Sequence, residues 1–227
     1  MMENGYRHEY KYIISQQSAV LLKSRLPGLM ARDPHAGPTG RYTIRSLYFD
    51  DPSFSAYDEK MAGISDREKY RLRIYNYDTG FIRLEKKEKH RDLTRKTGQT
   101  VTGEEVRQLQ QGSWGDLTQE PDSLLGSFRR AVAGGLRPAV LVDYDRTPFV
   151  CNAGQTLITL DEQIRTKPYD ANLWSSHTAM MPVLEPGQVV LEVKFNDFLP
   201  GYLAQALEDI PKISLAISKY VLCANTL

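Results

Sequence analysis

The sequence predicts a mainly β (α+β) fold, a closed antiparallel β-barrel tunnel with helices packed outside. Charged residues recur at every second position in several segments, apolar residues occupy the intervening positions, and helical patterns are short. The 227 residues suit one domain spanning 1–227, because all-β barrels of this length commonly form a single unit.

The first two predicted strands are 6–14 and 42–49. In residues 6–14, aromatic and aliphatic positions alternate with Arg7, Glu9 and Lys11, which is the period of two expected for a strand. A loop rich in Gly and Pro separates the second strand from the preceding helical segment.

The helical segments are short and begin at recognisable capping residues. Ser15 is a typical N-cap for a helix over 16–26, which would place Leu21 and Leu22 on its buried side. Further helical structure is predicted in part of 50–66, from a capping box over 102–110, over 124–133, and at the C-terminus.

A hairpin supplies the clearest pair of strands. Residues 69–77 place Arg71, Arg73 and Tyr75 on one face, and a turn at 78–80 leads into a strand over 81–89. The returning strand carries charged residues at alternate positions, namely Arg83, Glu85, Lys87 and Lys89. The last third of the chain predicts strands over 139–144, 156–163 and 189–195.

The charged faces are predicted to point inward. The opposite faces are apolar enough to pack beneath helices, and they carry Leu72, Ile74, Leu84, Leu191, Val193 and Phe195. A barrel whose apolar residues face outward must turn its polar residues inward. Enclosing Lys and Arg side chains without a counter-anion is costly, so the pattern indicates a wide, water-filled, anion-binding tunnel.

Composition excludes several other classes of function. The 29 basic and 28 acidic residues give a net charge of +1, which argues against a broad basic surface for nucleic acid or anionic membrane. The polar N-terminus and the lack of a long apolar run predict a cytoplasmic protein. The two cysteines, Cys151 and Cys223, are expected to be reduced thiols, and any bound metal should be a hard cation on oxygen ligands.

Carboxylates on the charged faces allow two interpretations. Glu192 shares a strand face with Lys194, so it is either a salt-bridge partner of that lysine or a ligand for Mg²⁺ or Mn²⁺ bridging protein and phosphate oxygens. Glu9, Glu85 and Asp161 are weaker metal candidates whose expected role is to balance neighbouring cations.

Short motifs in a fixed order resemble the polyphosphate-polymerase domain of the vacuolar transporter chaperone (VTC) family, within the triphosphate tunnel metalloenzyme (CYTH-like) superfamily. The motifs extend over nearly the whole chain and read Glu9-Tyr10-Lys11-Tyr12, Ser46-Leu47-Tyr48-Phe49-Asp50, Arg67-Glu68-Lys69-Tyr70-Arg71-Leu72-Arg73, Leu84-Glu85-Lys86-Lys87, Tyr144-Asp145-Arg146-Thr147, Leu160-Asp161, Leu191-Glu192-Val193-Lys194 and Ser218-Lys219-Tyr220. The superfamily's N-terminal acid-x-acid-x-Lys signature lacks its first acid, because Arg7 stands there.

The resemblance implies roles for individual residues. Phosphate-binding positions of the family match Lys11, Arg71, Arg73, Lys87, Arg146 and Lys219, with minor contacts at Tyr144 and Ser218. Two further cations on the same faces, Lys89 and Lys194, are also expected to contact phosphate, although Lys89 stands where the eukaryotic catalytic subunit has histidine. The family's metal-binding glutamate matches Glu192.

The implied reaction is transfer of the terminal phosphate of ATP to a polyphosphate chain, with Mn²⁺ or Mg²⁺ as cofactor. Arg71, Arg73, Arg146 and Lys87 would be the catalytic residues, acting by positioning and charge neutralisation. A membrane partner would be a separate chain, and no nucleic acid is expected. Two alternatives remain open: hydrolysis of triphosphate or nucleoside triphosphates by the same fold, and a polyphosphate-binding module without catalysis.

Overall fold

One antiparallel sheet forms the body of the fold. The computed structural model describes residues 7–90, 93–110, 122–168, 175, 179–215 and 218–227. In chain order the strands are β1 (His8–Ser15), β2 (Ala31–Arg32), β3 (Tyr42–Asp50), β4 (Arg67–Tyr75), β5 (Ile82–His90), β6 (Leu93–Val101), β7 (Arg137–Cys151), β8 (Thr156–Pro168), β9 (Met181–Pro182), β10 (Gln188–Phe195) and β11 (Ile213–Ser214).

The sheet is antiparallel as predicted, but its backbone does not close into a barrel. The strands pair in the order β11-β1-β10-β8-β7-β3-β4-β5-β6, with β2 on β7 and β9 on β8. Within the described residues no backbone pairing joins the two ends of this path. The curl of the sheet nevertheless brings β5 to β1, where the Lys87 ammonium lies 2.8 Å from the Glu9 carboxylate. A side-chain ion pair therefore spans the seam.

The helices are α1 (Gln16–Arg25), α2 (Ser55–Met61), α3 (Gly103–Gln110), α4 (Leu124–Ala133), α5 (Gly201–Glu208) and α6 (Lys219–Ala224). Ser15 caps α1 as predicted, because its hydroxyl accepts from the backbone N–H of Ser18 at 3.1 Å. Leu22 is buried, but Leu21 is 45% exposed, so the prediction for Leu21 is wrong: adjacent helical residues lie about 100° apart, and α1 covers the sheet with the Leu22 side.

Two apolar clusters cover the outer face of the sheet. Leu72, Ile74 and Leu84 pack beneath α3 and α4, whereas Leu191 and Val193 pack beneath α1 and α5. These clusters confirm that the apolar faces of the strands point away from the charged faces. These five apolar side chains are all buried because helices shield them from water.

The C-terminal helix departs from the predicted arrangement of helices outside the sheet. Tyr220 and Val221 of α6 pack with Tyr144 and Val190. Tyr144 and Val190 have the same strand parity as the inward-facing residues of β7 and β10, so α6 lies on the inner face. Part of that face is apolar, and burial of this apolar surface favours covering it from inside.

Several strand limits differ from those predicted. Strand β4 ends at Tyr75 because Asn76 and Tyr77 adopt left-handed backbone angles (φ 50° and 59°), which start the turn two residues early. The polar, Thr-rich strand β6 was not predicted, since it has no apolar face, and β7 and β8 run longer than expected. Tyr6, at the start of the first predicted strand, lies outside the described residues.

Candidate anion-binding site

The curled sheet encloses a cavity of about 460 Å³ whose lining is strongly cationic. Among the described residues, eleven cationic side chains line it: Arg7, Lys11, Lys69, Arg71, Arg73, Arg83, Lys87, Lys96, Arg146, Lys194 and Lys219. Three carboxylates accompany them, those of Glu9, Glu85 and Glu192. The lining therefore carries a large excess of positive charge, although the net charge of the whole chain is only +1.

Strand parity explains why these cations share one cavity. In β4, Arg71 and Arg73 face the cavity while the intervening Leu72 is buried in the outer cluster. The same alternation places Glu192 and Lys194 of β10 inside. The cavity thus collects one face of each strand around the curl.

Asp161 anchors two of the cations from the same inner face of the sheet, opposite Arg146 on the neighbouring strand. Its carboxylate accepts two hydrogen bonds from Arg146, both at 2.7 Å, and lies 2.5 Å from the Lys219 ammonium. Asp161 is completely buried, which raises the pKa of its carboxyl, but the charges of Arg146 and Lys219 outweigh burial and hold that pKa below its ordinary value. Asp161 therefore acts as a fixed counter-charge and does not line the cavity.

Glu192 lies among three cations in the cavity. Its Oε1 accepts from Lys219 at 2.6 Å, and its Oε2 accepts from Lys194 at 2.6 Å and from Arg146 at 3.3 Å. Burial raises the pKa of this carboxyl, but Lys194 and Lys219 lower it well below the usual range. The sequence allowed Glu192 to be either a salt-bridge partner of Lys194 or a metal ligand, and the salt bridge is present.

Glu85 and two tyrosines fix the orientation of the paired arginines. The Nε of Arg71 donates to Glu85 at 2.6 Å and a terminal nitrogen donates to the Tyr48 hydroxyl at 2.7 Å. Arg73 donates to the Tyr144 hydroxyl at 3.3 Å. Guanidinium groups held in this way keep further N–H donors for an anion in the cavity.

Three lysines facing the cavity have depressed pKa values. Burial lowers the pKa of Lys69 and of Lys87 to about 8, and that of Lys96 to about 7. A nearby carboxylate opposes this effect at each lysine: Asp50 at Lys69, Glu9 at Lys87 and Glu85 at Lys96. Neighbouring cations add to the depression, such as Lys11 and Lys194 at Lys87. These ammonium groups are therefore close to losing their charge near neutral pH.

The structure brings most of the sequence-predicted residues together, with two exceptions. Lys89 is outside the cavity lining, at the end of β5, and Asp161 is on the inner face but completely buried against Arg146 and Lys219. Ser218 lines the cavity, and its hydroxyl also caps α6 by accepting from Val221 at 3.4 Å. Tyr144 lines the cavity between Arg73 and Arg146.

Sequence reasoning missed Lys69 and Lys96 as lining residues, whereas Arg83, on a charged face predicted to point inward, does line the cavity. Lys69 has the same strand parity as Arg71, so the extended period-two pattern could have identified it. Lys96 was missed together with its strand β6, whose Thr-rich sequence carries no apolar alternation.

The residues do not form a complete metal site by themselves. Among the residues described, no three His, Cys, Asp or Glu side chains lie close enough to hold an ion. Both oxygens of Glu192 already accept hydrogen bonds from cations. Hard cations such as Mg²⁺ and Mn²⁺ need about six oxygen ligands, so Glu192 fits only as one ligand of a metal that phosphate and water otherwise surround.

Comparison with protein families gives a match over almost the entire chain. The family model described as the VTC domain matches residues 6–227. A comparison with curated protein sequences gave no match.

Solved structures with the same fold are distant in sequence. A candidate adenylyl cyclase from Hippeastrum, described as having a dominant triphosphatase activity, aligns with a TM-score of 0.58 at 14% identity, covering 98% of this chain and 96% of its own. A candidate adenylate cyclase from Bacillus halodurans gives 0.52 at 15% identity, covering 92% and 89%. A chain of the Schizosaccharomyces pombe Mediator head module gives 0.51 at 11% identity, covering 93% and 100%. These similarities establish the tunnel-type fold and leave the activity to be argued from the site.

Proposed function

This chain belongs to the VTC domain family, and on that premise we propose that it transfers the terminal phosphate of ATP to a polyphosphate chain held in the cationic cavity. One observation carries the proposal: in the part of the chain that the structure describes, eleven Lys and Arg side chains surround a cavity with three lining carboxylates. Such a lining is stable only with a highly charged anion nearby, and a chain of phosphates supplies repeated negative charge along its length.

The proposed chemistry needs positioning more than it needs a nucleophile. Arg71 and Arg73, held by Glu85 and Tyr144, would bind phosphate oxygens through their remaining donors. Arg146, fixed by Asp161, would face the transferring group, and Lys87 would neutralise charge at the seam. The attacking oxygen belongs to the terminal phosphate of the acceptor chain, and the leaving group is ADP.

Glu192 is the residue that would hold a divalent metal. The proposal assigns it one oxygen ligand, with phosphates supplying the others, because its buried carboxylate lies between three cations that are proposed to bind phosphate. A bound Mg²⁺ or Mn²⁺ would neutralise charge on the phosphate oxygens. The surrounding lysines orient Glu192 and would release one of its oxygens when phosphate replaces it as their partner.

Hydrolysis is the second candidate. The Hippeastrum protein is described as having a dominant triphosphatase activity. The same cationic lining would bind a triphosphate here, and water would then accept the transferred phosphate. A binding module without turnover would use the same lining. ATP, inorganic polyphosphate, a separate membrane partner and a cytoplasmic location remain proposals; none of the described helices is long and apolar enough to cross a membrane.

The three candidates give different products. The purified protein incubated with ATP and Mn²⁺ is expected to form polyphosphate ladders on a gel, whereas a hydrolase releases free phosphate and a binder leaves ATP unchanged. The double variant R71A/R73A, which removes two phosphate-binding groups, is the control and should form no ladder. Free phosphate alone, or unchanged ATP, would reject the polymerase proposal in favour of the corresponding alternative.

Anion binding is expected to weaken as pH rises. Lys69 and Lys87, with pKa values of about 8, and Lys96, at about 7, lose charge in the folded protein where free lysine stays protonated. Sulfate, whose own charge is constant over the range, should bind several-fold more weakly at about pH 9 than at about pH 6.5, as measured by calorimetry.

The anion-free protein should show the opposite trend. Between these pH values the unfolded chain binds more protons at the three lysines than the folded chain does, so the free energy of unfolding rises with pH. Denaturant unfolding at several pH values measures this slope.

A sulfate affinity independent of pH would show that these lysines do not face the anion.

A further inference from the structure

The outer face of the β4–β5–β6 segment has well-matched charges. Lys86 lies 2.6 Å from Glu68 and 3.2 Å from Glu88, and Glu88 also accepts from Arg95 at 2.9 Å. Each exposed cation there has an acidic neighbour on the same or the next strand. This face needs no external ligand.

The inner face of the same strands opposes like charges. Directly opposite residues of β4 and β5 form three cation–cation pairs and one complementary pair, in the order Arg67 and Lys89, Lys69 and Lys87, Arg71 and Glu85, Arg73 and Arg83. Like charges directly opposite each other destabilise a sheet. The cation–cation pairs occur on the inner face and not on the outer face. This difference indicates that an anion is expected along the whole inner face, including its end at Arg67.

The cationic row continues past the cavity lining. Arg67 and Lys89 lie one pair beyond Lys69, and Lys60 of α2 joins them. Burial, then repulsion from Arg67 and Lys89, lowers the pKa of Lys60. Glu59 is the acid that favours the charged form of Arg67, which also donates to the backbone carbonyl of Ile64.

Lys69 lines the cavity and is the lining residue next to this group of three cations. Its ammonium nitrogen is buried, makes no hydrogen bond within the described residues, and lies 4.3 Å from the centre of the Tyr220 ring. Burial lowers its pKa to about 8. A buried ammonium that makes no hydrogen bond within the described residues is well suited to contact a passing phosphate.

Building on the proposed function, we propose that Lys60, Arg67 and Lys89 form an outer phosphate subsite that binds the part of a polyphosphate chain extending beyond the cavity. The six residue steps from Arg73 to Arg67 correspond to about 20 Å of strand, which is longer than a triphosphate. A triphosphate in the cavity therefore leaves the outer subsite empty, whereas a long chain occupies both. The outer subsite makes affinity depend on chain length.

The test compares tripolyphosphate with size-fractionated long-chain polyphosphate on the full chain. The double variant K60Q/R67Q is expected to raise the Kd for the long chain about tenfold while changing the Kd for tripolyphosphate much less. The slope of log affinity against log salt for the long chain should also decrease by about one for each removed cation. The matched control K86Q/R95Q removes two cations from the outer face of the same strands and should change neither Kd.

The outcomes separate this inference from the proposed function. Equal losses for both anions, equal losses in K86Q/R95Q, or an unchanged long-chain Kd in K60Q/R67Q would each overturn the outer subsite. Absence of ladders from ATP, with tripolyphosphate still bound, would instead reject the polymerase proposal and leave the outer subsite standing. Melting temperatures of the unmodified protein and both double variants check that each variant is folded.

Discussion

Replacing Glu192 by Gln is expected to lower turnover at least about a hundredfold while leaving tripolyphosphate affinity without metal equal or higher. The substitution removes one negative charge from between Arg146, Lys194 and Lys219, which favours a polyanion in the cavity. It also removes the carboxylate that the proposed function assigns to a metal shared with phosphate. Turnover, metal-free affinity and melting temperature are measured together.

The matched control is E9Q, which removes the same charge from another carboxylate that lies between lining lysines. If charge alone sets turnover, E9Q and E192Q lose similar activity. If Glu192 serves only to stabilise Lys194 and its neighbours, E192Q melts at a lower temperature and keeps its metal-dependent activity. A fully active, less stable E192Q protein would end the metal-ligand hypothesis.

Replacing Asp161 by Ala is expected to cost about 3–5 kcal/mol in the free energy of unfolding. The change leaves Arg146 and Lys219 without the buried carboxylate that holds both of them. Tripolyphosphate should recover part of the loss, because a bound anion replaces the missing negative charge and stabilises the folded state by mass action. Denaturant unfolding with and without tripolyphosphate measures both effects.

The matched control is D145A, which removes a carboxylate from β7, the strand next to that of Asp161. Asp145 accepts a hydrogen bond from the Thr43 hydroxyl at 2.7 Å, so its removal should cost about 1 kcal/mol. A D161A protein no less stable than D145A would contradict the role of Asp161 as a buried counter-charge. Recovery by tripolyphosphate in D145A as large as in D161A would show that the anion does not replace Asp161.

Local patterns predicted much of the fold. The alternation of Arg71 and Arg73 with Leu72 identified which face of β4 points inward, because successive side chains of a strand point to opposite sides. Ser15 identified the start of α1, and the predicted limits of α4 agree with the structure. Each of these features depends on residues close together in sequence.

Contacts between distant segments were less accessible to sequence reasoning. Glu192 was identified together with Lys194, two residues away, but its contacts with Arg146 and Lys219 depend on strands and a helix far apart in the chain. The family resemblance supplied Arg146 and Lys219 as phosphate-binding positions, without indicating that the buried carboxylate of Asp161 holds both.

The sequence by itself determined the inward charged faces, most helix limits and the family, since strand parity, capping and motif order are local or additive properties of the chain. Tertiary structure alone decided that α6 packs inside, that Glu9 and Lys87 span the seam, and that Lys69 and Lys96 complete the lining. These features depend on how far the sheet curls and on strand register. Both are set by burial and backbone pairing summed over the whole fold, which no short segment encodes.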